Sequence, residues 1–153
     1  MELRERVNMA VKQAMKEKDA ARRSTLRLIN AAIKDRDIAA RAEGNENGVD
    51  DTEVLAIMGK MVKQRRESMK TYEEGGRLDL AEREAAEIVV IEEFLPRPLS
   101  ETEVAAAVDA AVREIGAESI RDMGRVMGVL KAKYTGQMDF AAVGPLVKAR
   151  LAS

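Results

Sequence analysis

The chain has 153 residues, 46% hydrophobic and 35% charged, with aromatics at 3% and a formal net charge of −1. That balance excludes low-hydrophobicity disorder, fits one domain or two small ones, and gives no bulk attraction to nucleic acid, acidic partners or membranes. Cysteine and histidine are absent, which removes disulfides, thiolate nucleophiles, imidazole bases and zinc sites built on those ligands.

The opening stretch, MELRERVNMAVKQAMKEKD, places Leu3, Val7, Ala10, Val11, Ala14 and Met15 at helical spacing. It is amphipathic and basic, as transit peptides are, but Glu2, Glu5 and Glu17 argue against one because such peptides avoid acids. The apolar run Ile88 to Ile91 falls far short of a membrane span. The expectation is a cytoplasmic protein with no membrane partner.

After the charged turn KEKDA, Leu26, Ile29, Ile33 and Ala40 share one face of a second helix. AEGNENGVDD reads as a loop, and Asp50 with Glu53 as a capping pair opening a third helix to about Glu74. That helix carries Leu55, Met58, Val62, Met69 and Tyr72 in near-heptad register. Gly75 and Gly76 supply a left-handed stop. Asp79 with Glu82 predicts the start of a fourth helix reaching Leu95, with acids crowding its first turns.

LPRPLSETEV then interrupts the pattern. Pro96 and Pro98 cannot continue a helix, and Ser100 with Glu103 forms another capping box. The spacing predicts a domain boundary there, giving domains at residues 1–96 and 97–153. Three short helices follow. The first carries Val104, Val108, Ala111, Val112 and Ile115 and stops at Gly116. The second is capped by Ser119 with Asp122, carries Ile120, Met123, Val126, Met127 and Leu130, and stops at Gly136. The third spans Phe140 to Leu151, with Pro145 read as a first-turn residue. No stretch alternates with period two. The fold class is all-α: an N-terminal four-helix domain of helical hairpins and a small C-terminal three-helix domain.

Near-neutrality is cancellation. Residues 1–41 hold eleven cations against six anions, residues 42–58 five anions and no cation, residues 59–70 five cations against one anion, and residues 71–95 two cations against eight anions. Arg23, Arg27 and Lys34, with Asn30 among them, fall on one face of the second helix. Lys63, Arg66 and Lys70 do the same on the third. As neighbours, the two rows would form a positive groove suited to a phosphate backbone; otherwise they are two solvated faces. Tyr72, Phe94, Tyr134 and Phe140 are the only aromatics, so unstacked bases are poorly served while a folded RNA backbone is not.

Arg65 stands in register with Val62 and Met69, where an apolar residue is expected. It reads as the partner of Glu84, Glu87 or Glu92 in an ion pair fixing hairpin register, or else as a ligand-binding arginine. No serine sits in a Gly/Ser-rich stretch of amidase type, and no Gly-rich phosphate loop follows a strand. Glu73, Glu74, Asp79, Glu82 and Glu84 could bind Mg²⁺, but caps and i,i+4 pairs account for them more simply. The expectation is a chain without catalytic residues, metal or cofactor.

Four stretches in order, LRLINAAIK, KQRRESMKTYEEGGRLDLAEREAAEI, EEFLPRPLSETEV and MGRVMGVLKAKYTGQMD, resemble the YqeY-like family, the GatB/YqeY domain, over essentially the whole chain. The family pattern falls on Leu26, Arg27 and Lys34, then on Arg65, Glu67, Ser68, Arg77, Asp79, Leu80, Glu84 and Glu87. It continues at Leu95 and Pro96, and at Met123, Gly124, Met127 and Gly128. Most of these look architectural: Arg65, Arg77, Asp79, Glu84 and Glu87 as ion pairs and turn, and the two glycines as a close-packing face.

The resemblance implies kinship with the tail of the B subunit of tRNA-dependent amidotransferase, a carbon–nitrogen ligase with glutamine as amido-N-donor. That tail contacts the tRNA body, and a similar module is fused to some glutaminyl-tRNA synthetases. The implied role is an accessory one, binding tRNA or assisting a tRNA-charging or amidotransferase complex, with no DNA partner expected. A protein–protein adaptor is the alternative, using an apolar inter-domain cleft lined by Ile88, Val90, Ile91, Phe94 and the Met123/Met127 face.

Overall fold

The structure, a computed structural model, describes residues 2–152. Among them it contains helices α1 (Leu3–Lys16), α2 (Ala20–Ala42), α3 (Asp51–Glu74), α4 (Leu78–Glu92), α5 (Glu101–Ile115), α6 (Met123–Tyr134) and α7 (Phe140–Ala152). A 3₁₀ turn, Ile120–Asp122, precedes α6. The described residues include no strand: the protein is all-helical. The chain folds into two compact units, the first ending at Leu95 and the second beginning at Pro96.

The first unit contains α1 to α4. α1 and α2 form one antiparallel hairpin and α3 and α4 another, with α2 packed on both α3 and α4. Its core takes Val7 from α1, Leu26 and Ile29 from α2, Val54 and Met58 from α3 and Ile91 from α4, all without solvent exposure. Each such side chain contributes about 1.5–3 kcal/mol by leaving water. Met15 belongs to the apolar pattern of α1 but is 49% exposed.

Local chemistry explains most helix ends. Asp19 accepts from the Arg22 N–H at 3.0 Å and opens α2, after Lys18 at φ 57° has turned the chain. Asp50 accepts from the Glu53 N–H at 3.0 Å and opens α3. At the far end Gly76, not Gly75, takes the left-handed conformation, with φ of 75° against −86°. Arg77 then donates its N–H back to Tyr72 at 2.8 Å.

That tight stop leaves one residue, Arg77, before α4. Asp79 is therefore already inside the first turn and caps nothing. Its carboxylate instead meets the Arg77 guanidinium at 3.3 Å, which holds the Asp79 carboxyl below its ordinary range. α4 ends at Glu92, three residues before the expected Leu95.

The second unit contains α5 to α7. Its core unites Ala107, Val108, Ala111 and Val112 of α5, Val126 and Leu130 of α6, and Val143, Val147 and Leu151 of α7. Both halves of the Ser100/Glu103 capping box are present, and Arg97 closes on Glu103 at 2.9 Å. Those hydrogen bonds, from Arg97 first and Ser100 next, lower the Glu103 carboxyl to about 2. Gly116 ends α5 at φ 69°. The Ser119/Asp122 box caps the 3₁₀ turn rather than an α-helix, and Ile120 points to solvent. Pro145 lies inside α7, whose first residue is Phe140, so the first-turn placement is corrected: the helix runs unbroken through the exposed ring to Ala152.

Candidate functional site

The six cations expected to form a positive groove do not come together. The groove between α2 and α3 is lined by Ala32, Asp35, Arg36 and Ala39 on one side and by Ile57, Lys60, Met61 and Gln64 on the other. Lys34 lies two residues beyond Ala32, and Arg66 two beyond Gln64. Residues two apart on a helix diverge by roughly 160°. Both basic rows consequently point away from the groove.

The α2 row faces the α1 side. Asn30, in the midst of Arg23, Arg27 and Lys34, donates from Nδ2 to Asn8 Oδ1 of α1 at 3.0 Å. The α3 row faces the α4 side, where Arg66 meets Glu92 at 3.4 Å. Lys63 also has an interaction of its own within the molecule. Among the described residues, no salt bridge ties Arg23, Arg27, Lys34 or Lys70, although Arg23 is half-buried and the other three are exposed. The α3 row is thus partly neutralised, whereas the α2 row keeps its field.

Arg65, 15% exposed at its side chain, donates Nε to Glu87 Oε2 at 2.9 Å and Nη1 to the Met61 carbonyl at 3.3 Å. Glu87 is the carboxylate that faces it; Glu92 is taken by Arg66, and Glu84 is half-buried on the same helix. The pair joins the middles of α3 and α4. Gln64, Glu67, Ser68, Thr71 and Tyr72 border a shallow open depression on α3. Its lining holds a single carboxylate, that of Glu67.

The apolar residues named for an inter-domain cleft divide between the two units. Ile88, Ile91 and Phe94 belong to the core of the first unit, with Val90 packed against it, and Met123 and Met127 pack against the core of the second. A Cβ built at Gly124 or Gly128 meets no atom within 4 Å. No helix packs closely on that face, so the close-packing reading of the two glycines is corrected.

Two features escaped the sequence. Arg4 of α1 binds Asp37 of α2 and the Val49 carbonyl at once, a contact spanning more than thirty residues with no local signature. On α1, Lys12 and Lys16 follow Asn8 at steps of four and extend the exposed basic face beside Arg23 and Arg27. That spacing was visible, but the helix was read for its apolar side. No group of three or more acidic side chains suited to a metal ion occurs among the described residues. Nor is any helix among them long and apolar enough to cross a membrane.

The described residues form two all-helical units, the first of which carries a row of cations along one face of α2. Residues 4–151 match the family described as Yqey-like protein, and the chain belongs to that family. Relatives include the protein named "Altered inheritance of mitochondria protein 41, mitochondrial" of Eremothecium gossypii, 34% identical over 107 residues, covering 69% of this chain and 56% of the relative. The protein of the same name from Lachancea thermotolerans is 32% identical over 107 residues, covering 69% and 55%. That from Vanderwaltozyma polyspora is 32% identical over 85 residues, covering 56% and 44%. The chain thus spans about half the length of these curated relatives. Their names overturn the expectation of a cytoplasmic protein, since each is designated mitochondrial. The acids on which that expectation rested sit along α1: Glu2 flanks its start, Glu5 lies in its first turn and Glu17 follows its last residue.

Proposed function

We propose that the chain is a non-catalytic accessory module that binds tRNA and assists a tRNA-charging or amidotransferase complex, with its two units serving as a four-helix and a three-helix domain. One observation carries this reading: Arg23, Arg27 and Lys34 stand on one face of α2 with no salt bridge among the described residues, while Arg22, Arg36, Arg65 and Arg66 nearby are each paired. Unneutralised cations on a rigid helix release counterions when a phosphate backbone docks, and that release supplies affinity without base readout. Scarce aromatics agree with a folded RNA body rather than an unstacked strand. The family resemblance supplies the tRNA.

The test is tRNA binding by filter or gel-shift assay. Arg27→Glu with Lys34→Glu should weaken binding about tenfold or more, with a shallower salt dependence. Lys63→Glu with Arg66→Glu should weaken it less, because Arg66 already has Glu92. Unchanged affinity in a folded Arg27→Glu/Lys34→Glu variant ends the proposal.

A further inference from the structure

The Asn8–Asn30 hydrogen bond fixes more than the contact of two helices. With Asn8 opposite Asn30 and Arg4 opposite Asp37, α1 and α2 run antiparallel in a defined register. Four residues along α1, Lys12 reaches the level of Arg27; another turn brings Lys16 to the level of Arg23. Lys34 lies beyond Asn30 in the other direction. The outer face of the hairpin therefore carries Lys12 and Lys16 on one helix and Arg23, Arg27 and Lys34 on the other, with the two asparagines between the rows. Among the described residues none of these five cations forms a salt bridge. Glu5 stands near the Lys34 end, and Glu17 and Asp19 stand at the turn beside Lys16 and Arg23.

The asparagine pair has unused capacity. Asn30 Nδ2 donates to Asn8 Oδ1, which leaves the Asn8 amide nitrogen as a donor and the Asn30 amide oxygen as an acceptor on an exposed surface. A 2′-hydroxyl is both donor and acceptor, and it is the group that separates an RNA backbone from a DNA one. From Arg23 to Lys34 the row extends about 16 Å at 1.5 Å per residue, enough to follow several phosphates along one strand.

We propose that this α1–α2 face docks double-helical RNA, its two cation rows on phosphates and Asn8 with Asn30 on 2′-hydroxyls between them. The proposal rests on the RNA-binding reading above and adds the surface, the form of RNA and the basis for preferring RNA over DNA. A lipid surface fits less well. Met9 and Met15 on α1 and Leu28 and Ile38 on α2 are exposed apolar side chains set singly among charged and polar residues, whereas an interfacial helix inserts a broad apolar face.

The experiment is fluorescence anisotropy on the full chain with four probes: an RNA duplex of about 16 base pairs, a DNA duplex of the same sequence, single-stranded RNA, and vesicles containing anionic phospholipid. Lys12→Glu with Lys16→Glu should lower RNA-duplex affinity about tenfold or more and reduce the log–log salt slope by roughly 1 to 2. Lys12→Gln with Lys16→Gln, which creates no like-charge repulsion inside the helix, should show the same direction. Asn8→Ala should narrow the ratio of RNA to DNA affinity while circular dichroism and melting stay near those of the parent. If the parent binds RNA and both lysine pairs leave affinity unchanged, this surface is wrong while the broader reading stands. If the parent binds no RNA at all, the broader reading itself fails. Preference for vesicles or single strands over the duplex overturns the choice of partner.

Discussion

Arg4 grips Asp37 through two hydrogen bonds, Nη1 to Oδ2 at 3.0 Å and Nη2 to Oδ1 at 3.1 Å, and the same Nη2 donates to the Val49 carbonyl at 2.7 Å. Asp37 Oδ1 also accepts the Val49 N–H at 2.8 Å, while the Leu3 N–H reaches Asp51 Oδ1 at 3.1 Å. The start of α1 is thereby fastened to α2 and to the loop that enters α3. The same clasp sets the antiparallel register on which the basic face depends.

The clasp gives the protein a defined acid response. Hydrogen bonds from Arg4 first, and from the Val49 N–H next, lower the Asp37 carboxyl from 3.8 to about 2. A carboxylate lowered on folding stabilises the protein fully above its unfolded value, and loses that contribution as pH falls through the folded one. Asp37→Asn should cost on the order of 1 kcal/mol at neutral pH, after allowance for solvent screening. It should also flatten the fall in stability between pH 4 and pH 2 that the parent shows in urea melts. A variant with the parent's slope in that window would show that the carboxyl titrates normally.

Gly48 is held against the clasp. At φ 83°, a Cβ there would lie 2.8 Å from Asp37 Oδ1 and 3.3 Å from Arg4 Nη2. Gly44, in the same loop at φ 96°, has nothing within 4 Å. Both alanine variants incur the left-handed cost of about 1–2 kcal/mol, and Gly48→Ala should lose about 1 kcal/mol more by displacing the Asp37 carboxylate. Equal losses in thermal melts would show that the carboxylate yields without consequence.

The Arg65–Glu87 pair, at 15% and 21% side-chain exposure, is half-buried in the α3–α4 seam. Removing one partner leaves the other charge desolvated, so Arg65→Met and Glu87→Leu should each lose about 1–3 kcal/mol. The double variant should recover most of that loss, because two apolar side chains can fill the seam. Additive losses in a double-mutant cycle would mean the two side chains do not interact.

Gly124 and Gly128 lie on the exposed face of α6 with room for a side chain. Alanine at either should raise stability by about 0.5–1 kcal/mol, the difference in helix propensity. A drop in melting temperature would show that a contact closer than the open surface forbids the methyl group.

Much of the fold could be read locally. Ser100 with Glu103, Asp50 before α3 and the left-handed glycines at 76 and 116 act within a few residues of themselves, so spacing alone located those helix ends. Where local signals competed, spacing misled. Asp79 and Glu82 have the composition of a cap, but the stop at Gly76 and the Arg77–Tyr72 hydrogen bond had already set where α4 begins.

The sequence by itself determined that the chain is helical, which residues of each helix are apolar and which cations share a face, because each follows from 3.6-residue periodicity and end chemistry. Only the tertiary structure decided that Asn30 looks toward α1 while Ala32 looks toward α3, and that Arg66 has Glu92 where Arg27 has no salt bridge among the described residues. Periodicity gives angles around one axis. The rotation of one helix against another is set by contacts such as Arg4–Asp37 and Asn8–Asn30, whose partners lie 33 and 22 residues apart.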